Sequence, residues 1–284
     1  MKKYFFMWAI LLSGLAGCNQ DDEVLPMGPT PYIFEEIKHF PSLLNIPEQN
    51  PTTVEGVQLG RYLFYDGRMS GRDHPDSLMS CGTCHIQSQG FEVSVDHPKF
   101  TSGHPFGLPT PDFPEGKKTP HVTMPLINLV YISSGYLWNG LIHESNNRSG
   151  IPGYEFMGGH ELNYKYLESL VWMGIVAEHE MAGSVDKTVA MISSIDKYKP
   201  MFKAAFGSEE VTIDRISKAI AQFVRTIVAN HFKFYKYVLH EVELTPSEKR
   251  GYDLFFSEEG DCFHCHSGSL LMTTNDYYNN AKDT

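Results

Sequence analysis

The chain has 284 residues, 42% of them hydrophobic, and a formal net charge of −11. That length and apolar content suffice for one large or two ordinary domains. So acidic a balance argues against nucleic acid as a partner and for a surface that attracts cationic ones.

In chain order, Lys2 and Lys3 precede an apolar run from Tyr4 to Leu12 that is too short to span a bilayer. Residues 1–17 therefore read as a targeting segment. Leu15-Ala16-Gly17-Cys18 resembles a bacterial lipobox, which implies cleavage before Cys18, lipidation of Cys18 and a lipoprotein held to the periplasmic or cell-envelope side by lipid alone. Losing Lys2 and Lys3 takes the charge from −11 to −13. Residues 18–50 are polar and proline-rich, a tether followed by an N-terminal arm. Val57 to Phe64 has helical apolar spacing. Residues 86–125, rich in Gly, Pro and His, read as a long functional loop, and 140–165 show little periodicity. Val185 to Phe206 is expected as one helix stopping at Gly207. Thr212 opens another, periodic from Ile213 to Phe234, and Thr245-Pro-Ser-Glu starts a third that ends at Phe256. Strand signals are weak throughout, so the fold class is mainly α.

The five cysteines are Cys18, Cys81, Cys84, Cys262 and Cys265. With Cys18 assigned to lipid, the others form Cys81-Gly-Thr-Cys84-His85 and Cys262-Phe-His-Cys265-His266. Cys-x-x-Cys-His reads as c-type haem attachment. Two cysteines on one turn can each bond a vinyl group, and the next residue can present its imidazole to the iron. A redox dithiol needs no following histidine. Zinc knuckles usually lie closer together than these two motifs. Two disulfides are conceivable in an oxidising compartment, but the repeated histidine at the same offset outweighs all three. LGRYLFYD before the first motif parallels GYDLFF before the second, which suggests two cytochrome-like haem domains, each with a helix packed on its haem.

At this point the chain resembles the bacterial di-haem cytochrome c peroxidase family, which includes the MauG-type enzymes. The residues that carry the resemblance are LGRYLFYDGRMS (59–70), SCGTCH (80–85), TMPLINLVY (123–131), YLWNG (136–140), EHEM (178–181), YKPMFKAAF (198–206), AIAQFVRTIV (219–228) and LTPSEKRGYDLFF…CFHCHSG (244–268). The family implies two cytochrome c-like domains: residues 51–207 as the N-terminal, peroxidatic one and 208–284 as the start of a C-terminal, electron-transfer one. It implies two covalently attached haem c groups. It also implies hydrogen peroxide as the substrate and electrons from a small donor protein, a c-type cytochrome or cupredoxin. By the same resemblance His85 and His266 are proximal ligands, Trp138 lies between the haems, and Glu180, with Glu178 as rival, moves the peroxide proton. His104 matches a displaceable distal histidine, with His97 and His121 in the same loop. Calcium at the domain interface and a homodimer are further family expectations that no residue here can be assigned to.

The chain departs from the family's pattern at Asn139 and Leu141, where Asp and Arg are usual, at Leu170, where a glutamine is usual, and in an insertion at roughly 142–166. Family chains continue well past the second motif to supply its sixth ligand. Here Thr284 follows His266 closely and Met272 has little length to double back, so the second haem domain is expected to be incomplete in a fragment. Three functions follow from the pattern: a peroxidase, a MauG-like oxidase and a non-enzymatic di-haem electron carrier.

Overall fold

The structure is a computed structural model that describes residues 28–71, 78–93, 100–101, 104–105, 123–132, 136, 167–177 and 180–273. Among these residues the helices in chain order are α1 (Val54–Phe64), α2 (Cys81–Cys84), α3 (Leu167–Val176), α4 (Val185–Ser193), α5 (Tyr198–Phe206), α6 (Ile213–Arg225), α7 (Lys233–Val238) and α8 (Pro246–Phe255). The strands are four two-residue pieces in two antiparallel ladders, β1 (Phe100–Thr101) with β2 (His104–Pro105) and β3 (His266–Ser267) with β4 (Met272–Thr273). The mainly α expectation holds.

Helix α1 begins where the Thr53 side chain accepts the Gly56 N–H at 3.0 Å, satisfying a donor the first turn leaves open. Leu59, Leu63 and Phe64 then bury completely against Ile216, Ala219, Ile220 and Val224 of α6. Burial of each large apolar side chain contributes about 1.5–3 kcal/mol. Glycine sets how closely these helices approach: a Cβ on Gly60 would lie 1.8 Å from the Ala219 carbonyl oxygen. That obstacle is backbone and cannot swing away. Gly60→Ala should therefore cost about 3 kcal/mol of stability, read as a lower denaturant midpoint with an unchanged slope. Leu167 and Ile175 of α3 and Tyr198 and Phe202 of α5 belong to the same core. Helix α6 lies beyond the boundary expected at residue 207 and shares the core with α1, α3 and α5.

Two expected helices are each broken in two. Residues 194–197 separate α4 from α5. In one continuous helix the Pro200 ring would meet the Asp196 carbonyl, whereas in the first turn of a new helix its missing N–H costs nothing. Residues 226–232 separate α6 from α7 because Asn128 claims that backbone. The Asn128 Oδ1 accepts the Ala229 N–H at 2.9 Å, and the Asn128 N–H donates to the Ile227 carbonyl at 2.8 Å. The start signals are as expected. Thr212 caps α6, and Thr245 and Glu248 form a reciprocal capping box on α8.

The arm of residues 28–50 runs across this helical body. Pro31 bridges to Thr53, Phe40 packs edge-on against Tyr131 and Tyr235, and Asn50 reaches α3 and α6. The Phe40 cluster is a second, smaller apolar core, and Leu270 and Met272 lie against it.

Candidate haem-binding site

The first motif folds as a single helical turn. The Ser80 N–H donates to the Thr83 hydroxyl at 3.0 Å, and the His85 N–H donates to the Cys81 carbonyl at 2.8 Å. Gly82 lets the Tyr65 ring lie close, since a Cβ would be 2.5 Å from it and the exposed ring would have to shift. The His85 Nδ1 lies 2.9 Å from the Phe91 carbonyl, which fixes the tautomer with the proton on Nδ1 and leaves Nε2 free to ligate. Burial pushes the His85 imidazole below its ordinary pKa, against the opposing carbonyls of Phe91 and Met124, so the ring stays neutral as a metal ligand must. Phe64, 6.4 Å from His85 ring to ring, gathers Phe91 and Phe223 into an aromatic wall.

The second motif repeats the geometry. The His266 N–H donates to the Cys262 carbonyl at 2.9 Å, and the His266 Nδ1 lies 3.1 Å from the Leu271 carbonyl. The β3–β4 ladder folds Leu271 back to that position. His266 is exposed, as is much of α8, which buries no residue among those described. Met272 packs toward the Phe40 cluster.

Glu180 sits in the turn after α3. Its N–H donates to the Ala177 carbonyl at 3.0 Å, and the flanking backbone is tied to α3 by the Met181 N–H on the Gly174 carbonyl and the Gly183 N–H on the Ile175 carbonyl. Gly174 leaves room for its carboxylate: a Cβ there would lie 2.9 Å from the Glu180 Oε2. Burial pushes the Glu180 carboxyl above the ordinary range. The Cys81 thiol is pushed up to about 12 by burial, with further contributions from Cys84 and Glu180. Glu180 thus acts on the first Cys-x-x-Cys-His turn through its charge, which helps raise the Cys81 thiol.

A profile described as "Di-haem cytochrome c peroxidase" matches residues 54–243. The chain belongs to that family. It is 31% identical over 223 residues to the methylamine utilization protein MauG of Methylorubrum extorquens, covering 78% of this chain and 52% of that one. It is 29% identical over 226 residues to the cytochrome c551 peroxidase of Nitrosomonas europaea, covering 78% and 54%. Among solved structures, a MauG-like protein associated with microbial copper homeostasis matches with a TM-score of 0.64 at 26% identity, over 89% of this chain and 62% of that one. The di-haem peroxidase BthA of Burkholderia thailandensis matches with a TM-score of 0.56 at 18% identity, which speaks to fold alone. The chain spans about half the length of these curated relatives.

Family membership implies haem c groups, and the residues present fit them. Both motifs offer two cysteines on one turn, none of them in a disulfide, and both hold the histidine Nδ1 on a carbonyl. Cys18, Trp138, Glu178, His97 and His121 lie outside the described residues, as does the insertion at 142–166. His104 is described only as backbone, paired with Thr101 in the β1–β2 ladder. Leu170 is half-buried against the core.

Sequence reasoning missed a buried polar seam. The Arg225 Nη2 meets the Glu168 Oε1 at 2.8 Å with both side chains sealed from solvent, and the Glu168 Oε1 also accepts from the Asn50 Nδ2 at 2.5 Å. The signal was present: Gln222 and Arg225 interrupt the apolar face of AIAQFVRTIV.

Proposed function

We propose that the protein reduces hydrogen peroxide to water with electrons from a small redox protein. The observation that carries this reading is Glu180, a half-buried carboxyl that Gly174 leaves room for in the turn after α3 and whose pKa desolvation raises. When bound, the haem iron supplies the redox change and a place for peroxide to bind. Cys81, Cys84 and His85 would hold one group, and Cys262, Cys265 and His266 the other, through thioether bonds and the histidine Nε2. Glu180 as carboxylate takes the proton from one peroxide oxygen and returns it to the other as that oxygen leaves. Two further protons and two electrons complete two waters. Trp138 carries electrons between the two centres, and His104 caps the first at rest. Cys18, lipidated, tethers the protein at the cell envelope. The test is peroxide-dependent oxidation of a reduced small c-type cytochrome by the holoprotein. Turnover is expected; none, with both haems present and reducible, would overturn the peroxidase reading.

A second reading, a MauG-like oxidase, is favoured by the 31% identity to the Methylorubrum protein. It predicts that peroxide oxidises the haems while the small cytochrome stays reduced.

A further inference from the structure

We propose that the cleft between α1 and the start of α5 binds a small aromatic carboxylate, paired with Arg61 and Lys197 and stacked on the rings of Tyr62 and Tyr65. The site goes beyond the peroxidase reading and does not depend on turnover.

The outward face of α1 builds one wall. Gln58, Arg61 and Tyr62, with Tyr65 just past the helix end, recur at helical spacing on the side opposite Leu59 and Leu63, which fill the core. Lys197, at the start of α5, stands across from them, and its Nζ lies 3.7 Å over the Tyr62 ring. The cleft they line has a volume of about 610 Å³, which suits a small molecule.

Its charge favours an anion. Asp66 and Arg68 also line the cleft, but they neutralise each other: the Asp66 carboxylate accepts from the Arg68 Nε at 2.8 Å and Nη2 at 2.6 Å, and from the Tyr198 hydroxyl at 2.6 Å. Arg61 and Lys197 remain. The ion pairs among the described residues engage neither of them. In a chain of net charge −11, two cations left unneutralised around one cleft set up a local field of the opposite sign.

The tyrosines favour an aromatic anion. Tyr62 and Tyr65 are 43% and 44% exposed, so each leaves ring surface to stack on. Tyr65 is held in place: its hydroxyl donates to the Gln87 Oε1 at 3.0 Å, and its ring packs edge-on to Phe64 at 5.0 Å and against the turn at Gly82. A wall fixed in advance spares the ligand the cost of ordering it. A guanidinium pairs with a carboxylate through two parallel N–H donors, and the ring behind that carboxylate covers tyrosine. A bare phosphate would leave the rings unused. The occupant lies one ring away from the turn that carries Cys81 and Cys84.

The experiment titrates the holoprotein with benzoate and reads binding by calorimetry. Benzoate should bind one to one, and benzamide, which lacks the charge, on the order of tenfold more weakly. Inorganic phosphate at equal concentration should not displace benzoate, and rising salt should weaken it. Arg61→Gln, Lys197→Gln and Tyr65→Leu should each weaken benzoate on the order of tenfold. Lys203→Gln, an exposed cation further along α5, should leave it unchanged. Should Tyr65→Leu fail to fold, the exposed Arg61 and Lys197 carry the test. The proposal is overturned if the wild type binds no benzoate, if benzamide binds as tightly, or if phosphate displaces benzoate, since any anion then suffices. A loss in Lys203→Gln as large as in Lys197→Gln also overturns it, because a diffuse field then replaces a site. Absent peroxide turnover alongside benzoate binding would instead sink the peroxidase reading and leave this one standing.

Discussion

Glu180→Gln is expected to lower kcat/KM for peroxide by about 10²–10⁴-fold, the usual contribution of a positioned acid–base group, while both haems stay bound with unaltered spectra. The amide keeps the shape and one acceptor oxygen but cannot take a proton. The pH dependence follows from the direction of the shift. Burial raises the carboxyl above its ordinary value of about 4.3. Only the ionised form accepts the first proton, so activity falls as pH drops through that raised pKa, and the acid limb lies above the ordinary value. The limb should vanish from the residual rate of the variant. Stability moves the other way. A folded-state pKa above the unfolded one leaves stability intact below the unfolded value and removes it as pH rises toward the folded one. Glu180→Gln should therefore raise the melting temperature at neutral pH and leave it unchanged in acid. Stopped-flow traces and calorimetry across pH check both, and an undiminished rate in the variant would remove Glu180 from the mechanism.

Which of these features the sequence disclosed depends on how local their causes are. The capping box at Thr245 and Glu248 is written in four consecutive residues, and the structure forms it. The Cys-x-x-Cys-His turns are equally local, because their covalent chemistry demands that spacing. The break after α6 is not local: it comes from Asn128, 101 positions away from Ala229. The break before α5 could have been read, since Pro200 allows helix on only one side of its first turn. The carbonyls that orient His85 and His266 belong to Phe91 and Leu271, and any residue supplies a carbonyl, so no side-chain pattern marks them. Glu180 was found by resemblance, and its half-buried place in the turn after α3 is a tertiary fact. Composition marks residues 18–50 as a tether and an arm but does not say which way their polar groups point. Asn45 and Asn50 use those groups inward, where an interior polar group needs a partner.

Arg225→Ala should cost about 3–5 kcal/mol of stability, because it leaves the Glu168 carboxylate buried without its counter-charge. The Arg225 Nη2 approaches both carboxylate oxygens, at 2.8 and 2.9 Å, and both side chains are fully buried. Among the described residues Asn50 would remain on Glu168, a neutral donor facing a charge. The pair as a whole is a weaker stabiliser than this loss implies, since bringing two charges out of water offsets much of their attraction. Among the described residues the Arg225 Nη1 has no hydrogen-bond partner, a further cost. Removing both charges should therefore be milder than removing one. Glu168→Gln added to Arg225→Met should recover part of the stability that Arg225→Met alone loses, giving a favourable coupling in a double-mutant cycle read from denaturant midpoints. Additive losses would mean that water reaches the site and screens each charge separately. The pair joins the first residues of α3 to the end of α6, and α3 leads directly into the turn that carries Glu180. Arg225→Ala is therefore also expected to make peroxide turnover heat-labile below the melting temperature of the whole protein.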